Sequence, residues 1–156
     1  KAFSHCENLV SIEMHDGVEI IQEKAFNECE SLREINLSGV RVIGADAFFN
    51  CVALENVKFG DNLETIGDGA FVHVSLRKVK LPKVRAIGDH AFWFCTQLTN
   101  VELSENIERI GSMASFGNRA LFDDSSLIRI AMPLKDNLLL DADAFYNCQR
   151  LSQVDI

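Results

Sequence analysis

Apolar positions recur along this chain in two alternating arrangements. The first reads Leu-x-x-(Ile/Val)-x-apolar. It occurs at Leu9/Ile12/Met14, Leu32/Ile35/Leu37, Leu54/Val57/Phe59, Leu76/Val79/Leu81, Leu98/Val101/Leu103, Leu127/Ile130/Met132 and Leu151/Val154/Ile156. Its last two apolar residues alternate with period 2, as one buried face of a short strand requires. The second arrangement follows each strand. An apolar residue (Val18, Val40, Leu63, Val84, Ile107) leads to an Ile, mostly followed by Gly, as in Ile43-Gly44, Ile66-Gly67, Ile87-Gly88 and Ile110-Gly111. Ala-Phe comes next, at Phe3, Phe26, Phe48, Phe71, Phe92 and Phe145, with Ala120-Leu121 as a degenerate copy. Seven units of about 23 residues result.

A unit this short cannot bury its own apolar face, so the units must stack. The pattern predicts an α/β fold, a right-handed solenoid of seven units. Its strands would form one parallel sheet on the concave side. The Gly-x-x-Ala-Phe segment would make a 3₁₀ or short α turn on the convex side. The Phe rings should then stack in a column, each contributing roughly 1.5–3 kcal/mol by burial. Pro82 and Pro133, after Leu81 and Met132, sit where a strand can end without losing an interior bond. The whole chain, 1–156, reads as a single domain, and as a segment of a longer array because no polar cap sequence is visible at either end.

Cysteine use changes the picture next. All five Cys (Cys6, Cys29, Cys51, Cys95, Cys148) lie three residues after the Phe column, and Val74 and Asp124 fill that place in two units. An odd count leaves one thiol over in any disulfide scheme. No C-x-x-C or mixed Cys/His metal spacing is present. The placement predicts a buried column of free thiols acting as small apolar side chains.

Taken together, Leu76, Val79, Leu81, Pro82, Val84, Ile87, Gly88, Ala91, Phe92 and Cys95 resemble the BspA-like class of leucine-rich repeats. The resemblance covers essentially the whole chain. It implies a repeat scaffold with no catalytic residues of its own. It also implies cell-surface or secreted placement, since many bacterial members bind host or matrix proteins. A column of free cysteines is compatible with an intracellular protein as well.

Charge separates surface from core. The chain carries a net charge of −8, from 15 Lys+Arg and 23 Asp+Glu. An acidic surface disfavours non-specific nucleic-acid binding. No run of 18 apolar residues exists, so no membrane-spanning helix is expected. The start lacks a Met and a signal-type apolar region, and reads as a processed or excised start. One basic stretch stands out: Arg77, Lys78, Lys80, Lys83 and Arg85 hold five of the 15 basic residues in nine positions. Lys58 should lie beside Lys80 on the adjoining rung. With Asn56, Asn100 and Glu102 these residues form the candidate partner-binding surface on the strand face. An insertion in the sixth unit supplies a second candidate, an interaction loop carrying Met113, Phe116 and Arg119. The same basics could instead be ordinary solvated residues balanced by glutamates such as Glu102.

Enzyme chemistry finds no foothold. The four His form no H-E-x-x-H, and no G-x-S-x-G, P-loop or dinucleotide fingerprint occurs. No aromatic residues alternate with the basic ones, which disfavours stacking on single-stranded nucleic acid. No cofactor is expected. The resulting expectation is a non-catalytic scaffold for a protein partner, with neither nucleic-acid binding nor direct membrane insertion, as part of a larger assembly. The alternative is a surface adhesion module for matrix protein or glycan.

Overall fold

A computed structural model describes residues 1–111, 127–133, 135–140, 144–145 and 148–156. Two classes of strand appear. Longer ones, of three or four residues except for β1, follow the Leu-x-x-Ile pattern: β1 (Ser11–Ile12), β3 (Glu34–Leu37), β5 (Asn56–Phe59), β7 (Lys78–Leu81), β9 (Asn100–Leu103), β11 (Arg129–Ala131) and β13 (Gln153–Asp155). Two-residue strands precede the Gly column: β2 (Ile20–Ile21), β4 (Val42–Ile43), β6 (Thr65–Ile66), β8 (Ala86–Ile87), β10 (Arg109–Ile110) and β12 (Leu139–Leu140). Every pairing is parallel and joins equivalent positions, for example Ile35 with Val57 and Ile43 with Ile66. The chain is thus a parallel-strand solenoid, with about five turns.

The expectation of one sheet is corrected. The short strands form a second, continuous ladder in the order β12-β10-β8-β6-β4-β2. The longer strands form two separate sheets, β1-β3-β5 and β13-β11-β9-β7. The α component of the expected α/β class also gives way, because no helix occurs among the described residues. Two residues per turn, four apart, have positive φ. One precedes Ala-Phe (Lys24, Asp46, Gly69, His90) and one precedes the Cys column (His5, Glu28, Asn50, His73, Phe94). A left-handed residue every fourth position interrupts any right-handed helix.

What replaces the helix is a ladder between rungs. Lys24, Phe26 and Glu28 donate their N–H groups to the carbonyls of Ala45, Ala47 and Phe49 on the next rung, at 2.8–3.0 Å. The same set repeats from Gly69, Phe71 and His73 to Asp89, Ala91 and Trp93. Within each rung the Cys N–H bonds the Phe carbonyl, as from Cys29 to Phe26. Backbone polar groups are thereby satisfied without secondary structure of the usual kind.

The Phe column stacks as the pattern requires. Phe3, Phe26, Phe48, Phe71 and Phe92 follow one another at centroid distances of 5.1–5.5 Å, with planes within 9°. That is the offset-parallel geometry aromatic rings prefer. The glycines after Ile have a separate reason. A Cβ on Gly67 would lie 2.7 Å from the Ala45 nitrogen on the preceding rung. Gly67→Ala should therefore force the rungs apart and destabilise by about 1–3 kcal/mol, measured as a lower denaturation midpoint with an unchanged slope.

Candidate functional site

The strand face presents Ser11, Glu34, Asn56 and Lys78 in one exposed column and Glu13, Asn36, Lys58 and Lys80 in the next. Between them Ile35, Leu37, Val79 and Leu81 point into the core, each no more than 3% exposed. The alternation follows from the pleat of the strand. Asn100 and Glu102 on β9 continue the two columns in half-buried positions.

The candidate basic residues divide between two surfaces. Lys78 and Lys80 stand on the strand face with Lys58, and Arg77 and Lys83 are exposed at the two ends of β7. Arg85 lies beside the second ladder, where its guanidinium reaches Glu108 Oε1 at 2.7 Å and 3.2 Å. This pairing raises its already high pKa. Lys80 Nζ lies 3.2 Å from Glu102. Arg129 lies 4.0 Å from Glu102 and bonds Asp155 through Nε at 2.6 Å. Among the described residues no carboxylate is within ion-pair distance of Lys58 or Lys78. The loop candidates Met113, Phe116 and Arg119 lie outside the described residues.

One feature of the site was not read from the sequence, although its signal was there. The concave sheet is broken between β5 and β7. Phe71 and Leu76 are one residue closer in sequence than Phe26 and Leu32, or Phe48 and Leu54. In intact rungs the residue after Leu donates to its own equivalent, as Glu55 does to Arg33 and Thr99 to Arg77. At the break the residue before Leu76 takes over: Ser75 N–H bonds the Leu54 carbonyl, and Ser75 Oγ donates to Val52 at 2.7 Å. The shortened turn thus pulls β7 out of register. Lys58 and Lys80 are not joined along a ladder, and both line a concave pocket of about 640 Å³ that spans the break and continues over Asn100, Glu102 and Arg129. Val57 and Phe59, whose equivalents in β3 and β7 are buried, are half-buried here.

The thiol column was legible, but its hydrogen bond was not. Cys29, Cys51 and Cys95 are buried free thiols, and Cys6 and Cys148 are half-buried. Each buried Sγ donates to the Phe carbonyl of a preceding rung: Cys29 to Phe3, Cys51 to Phe26 and Cys95 to Phe71, at 3.0–3.1 Å. Burial pushes the Cys51 and Cys95 thiols up to about 12, where they are protonated donors and not nucleophiles. No group of three metal-ligating side chains occurs among the described residues. On the convex side Phe49 and Trp93, from the aromatic positions after Phe, are half-buried and line a shallow pocket of about 490 Å³ with Asp46, Asp68 and Asp89.

A short parallel strand with two inward apolar residues, a glycine-tightened bend and a stacked Phe–Cys column define a leucine-rich repeat scaffold. The chain belongs to the BspA-type leucine-rich repeat family, whose repeat region it matches in six copies over residues 1–121 and 38–152. Among solved structures it is similar to the leucine-rich repeat protein of T. pallidum, at 30% identity and a TM-score of 0.75, covering 94% of this chain and 69% of that one. It is also similar to the pneumococcal vaccine antigen PcpA, at 23% identity and a TM-score of 0.77, covering 93% of this chain and 36% of that one. A leucine-rich repeat protein from Eubacterium ventriosum shares 22% identity and a TM-score of 0.64, over 81% of this chain and 34% of that one. The chain therefore spans about a third of the length of the last two. No curated protein sequence matches it. Repeat proteins of this family generally mediate protein interactions or adhesion, and the fold is generally non-enzymatic.

Proposed function

We propose that this chain is a non-catalytic scaffold that binds a protein partner through its concave strand face. The observation that carries the reading is the contrast between columns. Inward positions repeat Leu, Ile, Phe and Cys, whereas outward positions at the same rungs change in charge and size: Glu34, Asn56, Lys78. A surface free of packing demands can be shaped to a partner, and solenoids offer it as an extended area. The residues we place in the contact are Asn56, Lys58, Arg77, Lys78, Lys80, Lys83, Asn100 and Glu102, with Arg85 at the margin because Glu108 engages it. The loop around Met113, Phe116 and Arg119 is a second proposed contact. Seven strand motifs support a right-handed array of seven units in one domain.

A photo-crosslinking residue placed at Asn56 should yield protein adducts in the native cell. The same residue at Thr96, exposed after the Cys column, should not. Adducts only from Thr96 would overturn the concave-face reading. The alternative, an adhesion module for matrix protein or glycan, is favoured by the two lysines without a carboxylate partner. It predicts binding on a sulfated glycan array that high salt and Lys78→Glu both abolish.

A further inference from the structure

We infer that the groove between β5 and β7 is a docking slot for an acidic, extended protein segment that inserts one apolar side chain. The inference rests on the concave-face reading and narrows it to one place and one ligand chemistry.

Three independent observations converge there. First, the opening is local. The same two rungs remain joined at Thr65–Ala86 and Ile66–Ile87, and Phe71 stacks on Phe92 at 5.5 Å. A whole strand needs about 4.8 Å on either side of itself, so rungs tied this closely cannot admit one. A wedge open only at the concave edge admits a side chain. Second, the wedge has an apolar floor. Val57 and Phe59 are half-buried on the β5 edge that β7 does not pair, and Phe59 is held edge-on against Phe71 at 5.6 Å. Third, the rim is basic on balance, with Lys58, Lys78, Lys80 and Arg129 against Asp61 and Glu102. Lys58 and Lys78 flank the opening without carboxylate partners among the described residues, while Lys80 and Arg129 share Glu102. In a chain of net charge −8, two uncompensated lysines over an exposed apolar floor select an acidic ligand against the general field.

Main-chain groups add direction. Asn56 N–H bonds Arg33 on the β3 side. Successive residues of a parallel strand bond to alternate sides, so the N–H and C=O of Val57 face the gap. An extended segment lying over the slot can meet them while its carboxylates reach Lys58 and Lys78.

The test is selection from a displayed library of random 12-residue peptides against the full chain, followed by fluorescence anisotropy on the enriched peptides. The expected peptides combine several Asp or Glu with one apolar residue. Their affinity should fall at least tenfold with Lys58→Glu/Lys78→Glu, and should fall as salt rises. A second variant separates shape from charge: one alanine inserted between Val74 and Ser75 restores the six-residue spacing and should close the sheet. It leaves every lysine in place, and it should also abolish binding. Peptides that survive both variants but are lost on Glu34→Lys/Asn36→Lys would overturn the slot and leave the concave-face reading standing. Peptides lost only on Trp93→Ala would overturn both, whereas no enrichment at all would overturn the slot and leave the concave-face reading to the crosslinking result. A heparin-derived oligosaccharide that binds the insertion variant as well as the parent would assign the lysines to glycan and sink the peptide slot.

Discussion

Phe71→Ala should lower stability by about 3–5 kcal/mol, a large part of the roughly 5–15 kcal/mol that a domain commonly has. Phe71 is fully buried, stacks between Phe48 at 5.1 Å and Phe92 at 5.5 Å, and takes the edge of Phe59 at 5.6 Å. Removing the ring leaves a void bounded by three other rings, and neighbouring rungs tied by backbone bonds on both sides cannot collapse into it. Phe71→Leu keeps most of the volume and should cost under about 1.5 kcal/mol. Chemical denaturation of both variants measures the difference. A Phe71→Ala midpoint equal to that of the parent would contradict a stacked column that carries the fold.

Alkaline pH should unfold the protein through its thiols. Below the ordinary thiol value of 9.0 the neutral form prevails in both states, and the stability contributed by burial is fully present. Between 9.0 and about 12 the unfolded chain has released protons that Cys51 and Cys95 still hold in the native state. The unfolded state then binds fewer protons, so stability falls as pH rises. Two such groups give a slope of about 2.7 kcal/mol per pH unit, or about 4 kcal/mol lost by pH 10.5. Cys29, raised in the same direction by burial, adds to the loss. Val74 already occupies this column, buried at 2% exposure, so Cys51→Val/Cys95→Val should fold and show a shallower alkaline limb. An identical limb in that variant would assign the transition to lysines instead.

How far the sequence carries the fold depends on the length of each signal. The inward columns were legible because one residue type recurs at one place: Phe26, Phe48 and Phe71 stack, and Cys29, Cys51 and Cys95 are buried, as spacing alone predicts. The second ladder was not. A strand of two residues such as Val42–Ile43 has no period to display, and its Ile reads equally as turn packing. The left-handed residues were hidden for a different reason. Lys24, Glu28 and Phe94 are not residue types that announce positive φ, and only the inter-rung bonds hold them there. At the candidate site the lysines were visible as a cluster in sequence. Their division between two faces, with Arg85 drawn to Glu108, depends on the turn at Pro82 to Val84. The missing residue before Leu76 was visible as well. Its effect was not, because register is a property of two rungs and not of one.

The convex ladder carries one more consequence. Its amide N–H groups all point the same way along the solenoid axis, from Phe3 to Ala25, from Phe26 to Ala47, from Phe48 to Ala70 and from Phe71 to Ala91. The concave strands alternate donors and acceptors and largely cancel, so the turns give the rod an electrical polarity. Its positive end lies toward the later rungs and its negative end toward Phe3. A rung added on the Phe3 side must arrive offering donors, and one added at the other side must offer acceptors. Growth of such an array is head-to-tail by chemistry as well as by chain connectivity, and two copies meeting through their Phe3 ends would set carbonyl against carbonyl.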